Sequence, residues 1–377
     1  MRGMRKFGLL LLAVALLAGG LAGCSTAKTS DTTSDATEPV VDDYTVKLGY
    51  YNCDHMLASV VARDAGIFDD LGLKVELTGN GSVPEAMAAG KMDVGYIGTE
   101  GLIKAREKGS PIFVAASNHT GGSYYLVASN DIKTKEDLKG KELGLSPDIE
   151  KTDAYWVRMA TNTGISPNSA DYKPYAMQIK DQFVALKAGQ IDGYVTCDPW
   201  GSAAVVDGIG WIVGDDTSIP ETGESGMCCS YAMNETFAEE HPELAKKMVL
   251  AHSLAIQYVY EHPAAAAKIF AKAYGVKDEV ALMTIWHKCV KDGRTLTWAT
   301  DKQLYQNEVD YARKVGTMTF EPKVDEFVKT DILDAAGTAN FDTFISEKID
   351  GAFPLTMSFE DFKTKALSID PDAGLEL

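Results

Sequence analysis

The segment Ala86-Met87-Ala88-Ala89-Gly90-Lys91-Met92-Asp93 returns 99 residues later as Ala185-Leu186-Lys187-Ala188-Gly189-Gln190-Ile191-Asp192. Each copy reads as the end of a helix, a glycine suited to the left-handed position after it, and a turn into a strand. Each leads to a small or polar strand end, Gly98-Thr99 in the first copy and Thr196-Cys197-Asp198 in the second. Such a recurrence asks for two equivalent α/β lobes, and a chain of 377 residues is long for one core. Ligands of open α/β sheets bind outside the carboxyl ends of the strands. The two strand ends are therefore expected to face each other across a cleft.

The flanking pattern agrees. Tyr44–Tyr50 alternates with the period of a strand, and Asp54 can cap a helix reaching Phe68. Leu73–Leu77 is a second strand, and Ser82-Val83-Pro84-Glu85 is a capping box opening a helix to Ala89. Strand Val94–Ile97, helix Thr99–Lys108 and strand Ile112–Ala116 complete a run of β-α units, which argues a mainly parallel sheet. A break is expected at 118–122, then a strand from Tyr124 to Ala128 and further β-α units to about Val213. Residues 214–228 read as a loop, and the chain beyond is largely helical, over 242–260, 263–274 and on to about 315.

The N-terminus is of another kind. Arg2, Arg5 and Lys6 precede an apolar run from Phe7 to Leu17, followed by small residues ending in Leu21-Ala22-Gly23-Cys24. That is the layout of a secretory signal peptide over 1–23, too short to span a bilayer. Leu-Ala-Gly-Cys resembles the bacterial lipobox, which makes Cys24 the expected lipid-bearing first residue of the mature chain. Residues 24–43 are rich in Ser, Thr and Asp and read as a flexible linker reaching roughly 25 Å. The expected address is the extracytoplasmic face of a bacterial cell membrane.

Apolar residues make up 45% of the chain and charged ones 24%, as in globular proteins, and the formal net charge of −18 disfavours nucleic acid. Beyond Cys24 lie Cys53, Cys197, Cys228, Cys229 and Cys289, an odd number whose spacing matches no zinc pattern. Free buried thiols are expected, with room for one disulfide. No G-x-S-x-G, H-E-x-x-H or G-x-x-x-x-G-K-[ST] motif appears, so no enzyme and no cofactor are expected.

Several short segments, in order and spacing, resemble the periplasmic solute-binding proteins of the nitrate/sulfonate/taurine family, which includes thiamine-pyrimidine-binding relatives. They are Ala62–Phe68 with Gly72–Glu76, Gly90–Gly95, Asp137–Lys141, Ala185–Asp192 and Asp198-Pro199-Trp200, within a match of roughly Tyr44 to Val328. The resemblance implies an α/β two-lobed clamshell of the type II periplasmic-binding-protein kind, each lobe a mainly parallel sheet flanked by helices. It also implies a monomer that delivers a small-molecule ligand to an ABC permease with a cytoplasmic ATPase. Lobe 1 is placed at 44–120 and 230–320, lobe 2 at 121–229, and a C-terminal extension at 321–377. The crossings fall near Ser117–Tyr124 and Ser225–Ala232, with glycines at 121–122 and 223–226 suited to hinges.

On that reading the cleft is lined by Tyr51, Asn52, Asp54 and His55, by Ser82, and by Thr99 and Glu100. Asn118 and His119 lie at the crossover, Ser146 with Lys151 and Thr152 opens lobe 2, and Asp198 and Trp200 lie opposite Thr99. Helix N-termini at Ser82, Thr99 and Ser146 can hold an anion, although Ser82 and Thr99 equally suit plain caps. Asp54, Glu100 and Asp198 face scarcely any base but Lys151. Burying carboxylates beside an anion is costly, so the expectation tilts to a taurine-like zwitterion or an amino-heterocycle. A separate reading is metal or soft-ligand capture by Cys53, His55, His119, Cys197, Met227, Cys228 and Cys229.

Overall fold

The computed structural model describes residues 42–51, 53–79, 82–145 and 154–377, which form one compact unit from Asp42 onward. The expectations for Cys24, Asn52, Ser146, Lys151 and Thr152 lie outside the described residues.

Two five-stranded sheets carry the architecture. The first holds β1 (Thr45–Tyr50), β2 (Lys74–Gly79), β3 (Val94–Gly98), β4 (Ile112–Thr120) and β10 (Met227–Asn234), in the order β2-β1-β3-β10-β4. The second holds β5 (Tyr124–Ser129), β6 (Glu142–Leu145), β7 (Lys173–Ala176), β8 (Gly193–Cys197) and β9 (Gly210–Asp215), in the order β7-β6-β8-β5-β9. In each sheet one strand, β10 or β5, runs against the others. The chain passes from the first sheet to the second over residues 121–123 and returns over 216–226.

The repeat has a physical reason. Gly90 and Gly189 end their helices at φ 65° and 67°, the left-handed conformation glycine adopts without penalty. The aspartate closing each copy then does the same work twice. Asp93 donates its N–H to the Lys47 carbonyl (2.9 Å) and accepts the Lys47 N–H on Oδ2 (2.8 Å). Asp192 does so with Glu142 at 2.7 and 2.9 Å. Their carbonyls take the N–H groups of Asn234 and Ser129, at the ends of the two antiparallel strands. One short segment thus sets the register of the central strand and both its neighbours in each sheet.

Two local expectations are corrected. Residues 118–120 are not a break: β4 continues through them because β10 pairs alongside, Cys229 opposite His119 and Met227 opposite Thr120. The helix expected from Asp54 to Phe68 is interrupted, since Gly66 adopts φ 82° and Asp54–Met56 is a 3-10 turn.

Helices Pro242–Glu261 and Pro263–Tyr274 each begin with proline in the first turn, where its missing N–H has no helical partner. They cover the first sheet, together with helix Asp278–Trp286. Residues beyond 321 join the same core: Phe344, Ile345, Phe353 and Phe362 are buried, and Trp298 packs between Phe341 and Phe344 at centroid separations of 5.0 and 5.6 Å.

Candidate functional site

The loops at the carboxyl ends of β1 and β8 meet directly, the Asp54 N–H donating to the Asp198 carbonyl at 3.2 Å. Both carboxylates are fully buried, and a buried carboxylate needs a compensating cation or donors. Both find them in the turn that ends the helix after Asp278. Lys288, itself fully buried, lies 3.1 Å from Asp54 and 3.5 Å from Asp292, with its ammonium 5.0 Å from the Tyr125 ring centroid. Tyr125 donates its hydroxyl to Asp292. Burial works against the Asp54 anion, but Lys288 and His55 outweigh it and hold the carboxyl well below the usual range. Asp198 accepts from the Ser202 N–H (2.7 Å) and hydroxyl (2.8 Å), and pairs with His287 at 2.8 Å. Burial pulls the His287 imidazole down and Asp198 more than restores it. Residues 287–292 therefore stitch the first-strand loop to the second sheet.

A second buried pair joins the halves near the return crossing. The Arg158 guanidinium donates to both oxygens of Glu308 at 2.9 and 3.0 Å and stacks 4.2 Å from the Tyr311 centroid. Asp216, fully buried in the crossing itself, accepts the Tyr124 N–H at 2.8 Å, while its Oδ2 meets no donor among the described residues. Burial pushes this carboxyl up to about 8, Arg158 opposing it only in part.

Of the candidate residues, Tyr51 is half-buried between the two apolar clusters of the first sheet. Thr99 begins its helix and shares a 3.0 Å hydrogen bond with Ser230. Ser82 precedes its helix without making a capping bond, so the capping box does not form. Asn118 donates from Nδ2 to the His55 carbonyl at 2.8 Å, which fixes the amide and leaves Oδ1 a buried acceptor with no donor among the described residues. The Trp200 ring lies on Phe183 at 5.5 Å. Glu100 pairs with Lys104. All three acids read as lacking bases thus have cations or imidazole within the chain, so their number says nothing about the ligand's charge. No sequence motif marks Lys288 and His287, which lie far along the chain at a helix end.

The thiols of Cys53, Cys197, Cys228, Cys229 and Cys289 are all free. His55 links the groups around it, its Nδ1 2.9 Å from Asp54 and its Nε2 2.9 Å from the Cys229 sulfur. The Cys228 and Cys229 sulfurs are 3.4 Å apart, and the His119 ring centroid lies 5.0 Å from that of His55. His119 is fully buried beside the Cys228 thiol, and neither ring nitrogen meets a partner in good hydrogen-bond geometry among the described residues.

Residues 41–274 match the model of the NMT1-like family. A 4-amino-5-hydroxymethyl-2-methylpyrimidine phosphate synthase of Aspergillus parasiticus is 25% identical over 55% of this chain and 63% of its own length. A putative binding protein of Brucella abortus is 31% identical over 28% of this chain and 34% of its own. The chain thus spans less than two thirds of either relative. Among solved structures, the periplasmic nitrate-binding protein of Synechocystis PCC 6803 superposes with a TM-score of 0.61 at 16% identity, over 86% of this chain and 98% of that one. The periplasmic aliphatic sulphonate binding protein of Escherichia coli gives 0.60 at 18%, over 76% and 92%. The desulfurization enzyme DSZB gives 0.59 at 12%, over 78% and 98%.

Proposed function

The chain belongs to the NMT1-like family, and from that footing we propose that it is the extracytoplasmic solute-binding component of an ABC importer. It captures a small organic solute between the two sheets and hands it, chemically unchanged, to a permease served by a cytoplasmic ATPase. The observation that carries this reading is the pairing of two topologically equivalent sheets whose strand-end loops touch at Asp54 and Asp198. Closure of two such halves around a ligand is the signal a permease can read. Cys24 and the linker after it tether the monomeric receptor to the membrane and raise its concentration at the importer.

The ligand is a taurine-like sulfonate or an amino-heterocycle such as a thiamine-precursor pyrimidine, ahead of nitrate. The acids no longer argue for it. The support is the Asn118 Oδ1 atom, a buried acceptor with no donor among the described residues, a state that is costly until an N–H group reaches it. The named pyrimidine chemistry of the Aspergillus relative and the sulphonates of the Escherichia coli neighbour belong to the same range. A thermal-shift panel of taurine, alkanesulfonates, aminopyrimidines and nitrate tests the reading. Stabilisation by an amine-bearing member supports it, and stabilisation by nitrate alone refutes it. Loss of membrane retention in Cys24→Ser, with solute binding intact, is the expected result for the anchor.

A further inference from the structure

Neighbouring residues on a regular strand point to opposite faces, so adjacent cysteines should not share a site. Cys228 and Cys229 do share one. The pairing of β10 with β4 shifts register between Met227 and Cys229 and again before Ser230, a bulge that turns both sulfurs to the same side. They come within 3.4 Å of each other, and Cys229 lies 2.9 Å from His55 Nε2. All three donor atoms fall within 4.8 Å of one another.

Two further observations point to a ligand among these groups. His119, opposite Cys229 in the strand pairing, is fully buried with its ring beside the Cys228 thiol, and neither nitrogen has a partner in good hydrogen-bond geometry among the described residues, a state that buried imidazoles rarely keep. His55, in turn, is oriented by Asp54 on Nδ1, which presents Nε2 to the sulfurs. A carboxylate behind a ligating imidazole is the usual outer shell of a metal site.

We propose that His55, His119, Cys228 and Cys229 form a binding site for a thiophilic d10 cation of the zinc or copper(I) class, set where β4 and β10 meet at the crossing between the sheets. Two imidazoles and two thiolates suit a borderline-soft ion with four tetrahedral ligands. Two sulfurs and two imidazoles are a poor set for a hard cation, and the carboxylate beside His55, Asp54, is already held by Lys288. Bond lengths near 2.0–2.3 Å put tetrahedral donors about 3.4–3.8 Å apart, so the sulfurs need almost no movement and His55 about half an ångström. Both sulfurs bind as thiolates, giving up whatever proton they carry, which leaves the site neutral with zinc and at −1 with copper(I). The site does not depend on the solute reading and goes beyond it.

The test uses the full chain, purified in detergent without a histidine tag and kept reduced. Cobalt(II) is the probe. The expected result is one equivalent bound, with a thiolate-to-metal charge-transfer band and tetrahedral d–d bands that zinc displaces. Cys229→Ser and His119→Ala are each expected to weaken cobalt at least 100-fold, while Cys289→Ser, buried elsewhere, binds as wild type. Far-UV circular dichroism of each variant shows that it is folded, and Cys228→Ser serves if Cys229→Ser is not. No charge-transfer band in the wild type, or a band that survives in both cysteine variants, overturns the proposal. Solute binding is measured on chelator-treated protein, so failure of one reading is distinguishable from failure of the other.

Discussion

Removing the Lys288 ammonium is the perturbation with the clearest expected cost. Lys288→Met keeps the length of the side chain and deletes the ammonium that faces Asp54 at 3.1 Å and Asp292 at 3.5 Å. Lys288 and Asp54 are fully buried, so neither bulk water nor salt can replace the pair. Breaking a buried pair from one side costs about 3–5 kcal/mol, most of it the penalty of the stranded charge. An unfolding entropy near 2.1 cal/mol/K per residue gives roughly 0.7 kcal/mol/K for a unit of this size, so the melting temperature should fall by about 4–7 °C. Differential scanning calorimetry at neutral pH reads it. Adding Asp54→Asn removes the stranded charge and should recover at least half of the loss, as a double-mutant cycle requires of coupled groups. A fall of less than about 2 °C, or no recovery in the double variant, would refute the assignment of Lys288 as the cation that makes these buried acids tolerable.

Asp216→Asn tests the crossing. A carboxyl raised to about 8 favours the fold below its unfolded value near 3.8, and that stability is lost as pH rises through 8. The amide does not titrate, so the melting advantage of Asp216→Asn should grow between pH 5 and pH 8, by up to about 1.4 kcal/mol per unit, and level off above; a pH-independent difference contradicts it. Gly122→Ala would put a methyl group 2.0 Å from Asp216 Oδ1 and 2.3 Å from its carbonyl, so at least about 4 kcal/mol should be lost in denaturant titration, against no change for Gly351→Ala, whose Cβ meets nothing within 4 Å. Asp93→Ala and Asp192→Ala remove equivalent acceptors of a strand N–H, and each should cost about 1–3 kcal/mol. A cost confined to one of them would count against the equivalence of the sheets. Phe362→Ala empties a buried site in the C-terminal core and should cost about 3–5 kcal/mol, measured the same way.

Local chemistry was the legible part of this chain. The helix-Gly-strand-Asp unit announced itself twice because its glycine and aspartate meet demands made within a few residues. The proline-headed helices were readable for the same reason. What stayed hidden was pairing at a distance. Asn118–Thr120 looks like a loop until β10 is laid beside it, and Asp54 looks like an unmet acid until Lys288 arrives from more than two hundred residues away. Cys228 and Cys229 were visible as soft donors, but only the bulge brings their sulfurs together.

The route of the chain between the sheets also orders how the molecule can be made. All five strands of the second sheet come from one uninterrupted stretch, 124–215, whereas the first sheet cannot close until β10 emerges at Met227 to fill the gap between β3 and β4. A chain released N-terminus first must therefore carry two unpaired strand edges, on Val94–Gly98 and Ile112–Thr120, across the synthesis of about a hundred further residues. Non-local pairing of this kind is slow and leaves edges open to wrong partners. The second half is expected to fold first and to serve as the closed loop that brings β10 home, so nascent chains stopped before Met227 should be the form that aggregates or recruits chaperones.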